Sequence, residues 1–169
     1  MKREAIMNGH RARAAALAGV AGLLIGIVVT VAVRGDAAQQ PENRRRVIRP
    51  EKAPNTGLPF SPAILAGSTL YVSGHLGRDP INSKLVSGGI ENETRQALAN
   101  IREVLRTAGM DFKDVTSVTA YIATFEDFAK FNAVYREVFP NDPPARATVQ
   151  VAALNDHARI ELQMVAVKP

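Results

Sequence analysis

Apolar residues recur along this chain in three rhythms, and each predicts a different element. The first is unbroken. From Ala14 to Val33 the run AAALAGVAGLLIGIVVTVAV carries no charge. As a helix it would reach about 30 Å, the thickness of a bilayer's hydrocarbon core. It lacks the polar face of a helix packed on a soluble domain. Lys2, Arg3, Arg11 and Arg13 precede the run and Arg34 follows it directly. The pattern predicts an uncleaved signal anchor, with a signal peptide cut near Asp36-Ala37-Ala38 as the alternative. A short basic head before a first span is the usual export layout, so the domain beyond is expected outside the cytoplasm, anchored or exported. Arg44, Arg45, Arg46 and Arg49 weigh against that orientation.

The second rhythm is helical. Ile90, Thr94, Ala97, Leu98, Ile101, Leu105 and Ala108 fall on one stripe, with Glu91, Arg95, Arg102 and Arg106 outside it. Gly88-Gly89 before the stripe and Gly109 after it are good terminal signals. A second helix is expected after Thr124, a capping residue with Asp127 three positions on. Its apolar side is Phe128, Phe131, Tyr135 and Val138, and Pro140 ends it.

The third rhythm is alternation, which marks strands. It predicts short strands at Arg46–Arg49 and Ala63–Ala66, then Thr69–Gly74, Val115–Ala123, Arg146–Ala153 and Ala158–Val167. Pro and Gly punctuate Ala53–Pro62, which reads as a loop. Strands and helices in this order predict an α+β domain in which two helices cover one face of a single sheet. The chain thus divides into a head and apolar segment (1–34), a polar linker (35–45) and a domain (46–169).

Alternation also sorts the two faces. Val118, Ala120, Ile122, Val149 and Val151 are assigned to the core. Tyr71, Ser73, Thr119, Tyr121, Arg146, Thr148, Gln150, Glu161 and Gln163 are assigned to the opposite face. That face is too polar for a second core and bulkier than a merely wetted one requires. It predicts contact between copies of the chain, with a solvated face as the alternative.

Charge and composition narrow the chemistry. Residues 1–49 hold nine Lys/Arg against three Asp/Glu, whereas residues 50–169 hold twelve against thirteen. The basic character belongs to the N-terminal segment, and a nucleic-acid surface on the domain is not expected. The absence of Cys removes disulfides, thiolate catalysis and Cys-ligated metals. His10, His75 and His157 have no ligand spacing, so no metal is expected. There is no phosphate-binding loop and no serine-nucleophile elbow. What remains is Arg146, opening one strand, and Glu161, between two aliphatics on the next. A Glu so placed must reach solvent, a partner or a cleft.

Several motifs then line up. Lys52-Ala53-Pro54 and Gly57-Leu58-Pro59-Phe60-Ser61-Pro62-Ala63 come first. Tyr71-Val72-Ser73-Gly74-His75 and Glu93-Thr94-Arg95-Gln96-Ala97-Leu98 follow. Asp127-Phe128-Ala129 with Asn132, Tyr135 and Phe139 is next, then Pro144-Ala145-Arg146-Ala147-Thr148 and Arg159-Ile160-Glu161-Leu162-Gln163. In this order they resemble the RidA/YjgF family over residues 46–169. The resemblance implies a chorismate-mutase-like fold and a homotrimer with clefts between subunits. It implies deamination of 2-imino and enamine acids to 2-oxo acids without cofactor or metal. It assigns the substrate carboxylate to Arg146 and the attacking water to Glu161. Ser73, Gly74 and Thr148 would line the pocket, with Asn132 supporting it.

Three departures bear on that assignment. Phe60 stands where the family carries a pocket Tyr, His75 where it carries Gln, and Glu93 where it carries Gln. Phe60 and His75 are still expected at the pocket, His75 as a new acid or base or as an exposed turn residue. The competing function is a non-catalytic binder of small carboxylates. A ribonuclease role fits poorly with the net charge of −1 over residues 50–169.

Overall fold

The computed structural model describes residues 45–51 and 57–168. The predicted membrane segment, the linker up to residue 44 and the Lys52-Ala53-Pro54 motif lie outside those residues. Among the described residues no helix is long and apolar enough to cross a membrane.

Six strands form one sheet: β1 (Arg46–Ile48), β2 (Ala63–Ala66), β3 (Thr69–Leu76), β4 (Val115–Ile122), β5 (Ala145–Gln150) and β6 (Ile160–Val167). Their spatial order is β1-β2-β3-β6-β4-β5. All neighbours are antiparallel except β4 and β5, which run parallel. A parallel pair needs a crossover, and the helix α2 (Phe128–Val138) supplies it. The other helix, α1 (Gly89–Thr107), connects β3 towards β4. Both helices serve one side of the sheet, as the α+β reading requires.

The helix boundaries follow their residues. Gly88 and Gly89 take positive φ values of 104° and 73°, conformations open to glycine, and so turn the chain into α1. The whole expected stripe of α1 is buried, together with Glu93 and Val104. Thr124 accepts a hydrogen bond from the Glu126 amide at 3.3 Å and caps the 3-10 turn that leads into α2. Asp127 does not return to that turn. It is buried, and its carboxylate accepts from Arg159 Nη1.

The core lies between the helices and one sheet face. Leu70, Val72, Val118, Ala120, Ile122, Ile160, Leu162 and Met164 meet Ile101, Leu105, Phe131 and Val134 there. Burial of each large aliphatic among them contributes about 1.5–3 kcal/mol. The expected alternation holds in β3, β4 and β6, and it inverts in β5. Arg146 pairs with Val118 and Thr148 with Ala120, so both lie on the helix-covered side. Val149 pairs with Tyr121 on the open side and is 42 % exposed. The placing of Val149 and Val151 in the core, and of Arg146, Thr148 and Gln150 on the open face, is therefore corrected. Alternation tells which residues of a strand share a face. At an edge strand it does not tell which of the two faces is covered.

Candidate active site

Glu161 sits on the open face, opposite Tyr121 on β4 and Leu76 on β3. It lines a cleft of about 260 Å³ with Gly74, Tyr121, Val151, Ala153, Leu154 and Gln163. Gly74 makes the seat for its carboxylate: a Cβ built there would overlap Glu161 Oε1. The seat arises from a bulge. Val72 opposes Met164 and His75 opposes Leu162, so β3 carries one residue more than β6 across this interval. Glu161 is half-buried, and among the described residues no hydrogen bond or ion pair engages its carboxylate. The Tyr121 hydroxyl lies 3.4 Å from Gln163 Oε1 at the rim.

Ser73 stands beside Gly74, and its hydroxyl donates to the Ser61 carbonyl at 2.6 Å. The Ser73 amide donates to the Pro62 carbonyl at 3.0 Å. These two bonds tie the residues before β2 to β3. Phe60 lies in that tied stretch, 56 % exposed and outside the cleft lining.

Arg146 builds a second cluster on the other side of the sheet. Its Nη2 donates to Asn132 Oδ1 at 2.7 Å. Its Cζ lies 4.5 Å from the ring centroid of Tyr135, 4.9 Å from Phe131 and 6.0 Å from Phe128. Thr148, two residues on, shares this face. Burial pushes the Tyr135 hydroxyl up to about 12, and the nearby Arg146 charge opposes that rise. The phenol is therefore neutral at ordinary pH.

His75 belongs to neither cluster. The bulge turns it toward the helix-covered side, opposite Leu162. Burial lowers its pKa to about 4, partly offset by a hydrogen bond to the Pro62 backbone. Among the described residues its enclosed Nε2 has no hydrogen-bond partner. The alternative of an exposed turn ring is corrected: the imidazole is neutral and mostly covered, and it does not line the Glu161 cleft. Glu93, also buried, accepts from the Arg159 amide at 2.7 Å.

The expected residues thus fall into two sets. Ser73, Gly74 and Glu161 are together, and Asn132, Arg146 and Thr148 are together. A guanidinium and a carboxylate facing one cavity were expected, and within a single chain they do not. Alternation had grouped Tyr121 and Gln163 with Glu161 on one face, but no motif marked them as cleft residues. Leu154, in the loop beyond the end of β5, gave no signal at all. Among the described residues no group of three or more His, Asp or Glu side chains is placed to hold a metal ion.

Comparison with known proteins agrees with the fold. The family profile described as Endoribonuclease L-PSP matches residues 50–168. Human 2-iminobutanoate/2-iminopropanoate deaminase is 45 % identical over 124 residues, 73 % of this chain and 90 % of the human one. A RutC family protein of Pyrococcus horikoshii is 41 % identical over 124 residues, covering 73 % of this chain and 98 % of its own. Among solved structures, RidA from a Psychrobacter species superposes with a TM-score of 0.70 at 33 % identity, over 73 % of this chain and all of that one. Escherichia coli TdcF with bound serine gives 0.69 at 27 %, over 73 % and 99 %. From its motifs, its sheet order and these matches, the chain belongs to the RidA/YjgF family, the one whose profile is described as Endoribonuclease L-PSP.

Proposed function

We propose that this protein hydrolyses reactive 2-imino and enamine acids to 2-oxo acids and ammonia, at sites completed between subunits of a homotrimer. The observation that carries the reading is the unspent Glu161 carboxylate, half-buried in a cleft and seated over Gly74. The deaminase names of relatives 42–45 % identical to this chain support it. The opposite placement of Arg146 supports the composite site: one subunit supplies Arg146, Asn132 and Thr148, and its neighbour supplies Glu161, Gly74 and Ser73.

The chemistry then has two parts. Arg146 grips the substrate carboxylate in the plane of its guanidinium, where two N–H groups can meet two oxygens. Glu161 accepts a proton from water as that water adds to C2 of the imine, whose nitrogen is protonated. The resulting amino alcohol collapses when the proton passes from Glu161 to nitrogen. The C–N bond breaks as the hydroxyl gives its proton back to Glu161, so ammonia leaves and the 2-oxo acid remains. Neither step asks for an electron acceptor. RNA cleavage is disfavoured by the near balance of charge in residues 50–169, twelve basic against thirteen acidic, because binding RNA draws on phosphate neutralisation.

A coupled assay tests this. An amino-acid oxidase generates 2-iminopropanoate, and its disappearance is followed with and without the protein. The protein accelerates the loss, and Arg146→Ala or Glu161→Gln removes the gain. Equal rates with and without protein reject the enzyme. Retained binding of small carboxylates at that null rate then favours the non-catalytic binder.

We also propose that residues 14–33 anchor or export the chain, with the domain outside the cytoplasm. The support is the uncharged run between basic flanks. Protease added to intact cells digests the domain under this reading, and protection of the domain rejects it.

A further inference from the structure

We propose that the aromatic side of α2 is a shelf that positions Arg146, with Tyr135 and Phe131 as its positioning residues and Phe128 at its rim. This rests on the reading of Arg146 as the group that binds the substrate carboxylate. A guanidinium offers two different surfaces. Its flat face attracts aromatic rings, and its edge carries the N–H donors. The guanidinium carbon lies over the shelf rings, 4.5 Å from the Tyr135 centroid and 4.9 Å from that of Phe131. Asn132 takes one donor of Nη2. The arrangement therefore restrains the group without consuming the rest of its edge, which stays available for a two-point grip on an acid. A lysine ammonium has no such face to hold.

The shelf is itself braced. Tyr135 packs on Phe131 at 5.6 Å and on Phe139 at 4.7 Å, and Phe139 meets Phe112 edge-on at 5.2 Å. Among the described residues the buried Tyr135 hydroxyl has no hydrogen-bond partner. Phe139 is a matched comparison: equally aromatic, equally buried and next to Tyr135, but not against Arg146.

The test is calorimetric titration of the full chain in detergent with 2-oxobutanoate, a stable 2-oxo acid, alongside turnover of 2-iminobutanoate. Tyr135→Leu and Phe131→Leu are expected to weaken acid binding and raise KM about tenfold, with kcat changed by less than about twofold. Tyr135→Phe keeps the ring and rescues the binding lost in the Leu variant. Phe139→Leu lowers the melting temperature by a similar amount and leaves binding intact. Should the inner variants fail to fold, Phe128→Leu at the half-buried rim still reports, with a loss of about threefold. Equal weakening by Phe139→Leu overturns the shelf, as does unchanged binding in the folded shelf variants while Arg146→Ala loses it. Unchanged binding in Arg146→Ala overturns the carboxylate reading itself.

Discussion

Arg146 and Glu161 stand on opposite faces of one sheet, with β4 alone between their strands. Under the proposed reading, a site that uses both takes them from different copies of the chain. Co-expression of Arg146→Ala with Glu161→Gln tests this directly. Each variant alone is inactive. Random mixing in a ring of identical interfaces restores one intact pairing in about a quarter of the sites, so activity returns to about a quarter of the unaltered level. Mixed trimers, isolated by two affinity tags, that remain inactive would place both groups of each site on one chain.

Gly74→Ala should disable the enzyme while leaving its fold in place. The new methyl would occupy the position of Glu161 Oε1. The carboxylate must swing away, and misplacement of a catalytic group by about 1 Å costs on the order of a hundredfold in rate. The check is kcat together with an unchanged circular dichroism spectrum. Activity within about twofold of the parent would mean that the Glu161 seat does not matter.

Acid should weaken the fold through His75. Its folded pKa, about 4, lies below the ordinary 6.5. Between those values the unfolded chain binds the proton more readily, so stability rises with pH there. The contribution is fully present above pH 6.5 and is lost as pH falls toward 4, amounting to about 2–3 kcal/mol. Urea unfolding at pH 7 and pH 5 measures it. His75→Gln should flatten that part of the profile, and an unchanged slope would assign the acid sensitivity elsewhere.

Asp127 should matter for stability more than its place at a helix start suggests. It is 6 % exposed and bound to Arg159. Arg159→Ala strands a buried carboxylate, and the expected cost is about 1–3 kcal/mol in urea midpoint terms. Asp127→Ala combined with Arg159→Ala should cost less than the sum of the two single changes. Additive losses would show that the pair is not coupled.

The elements were legible because their apolar rhythms are regular: the α1 stripe, the alternation of β3, β4 and β6, and the glycines that bracket α1 all fold as read. Two features were not. β5 is an edge strand, and Val149 on its open side looks in sequence like a core residue. His75 was displaced by a one-residue bulge, for which Gly74 inside a strand was the only cue. The site residues came from motif order rather than from rhythm, and motif order says nothing about which face each residue occupies. That is why the separation of Arg146 from Glu161 was not foreseen.

The bulge in β3 also divides responsibilities along the chain. Without the extra residue, successive positions would alternate strictly, and His75 would share a side with Ser73. With it, Gly74 answers to the cleft while its immediate neighbour answers to the interior. Position 75 is thereby free to drift in chemical character, here to an imidazole, as the packing beneath the helices changes. The seat of Glu161 need not notice.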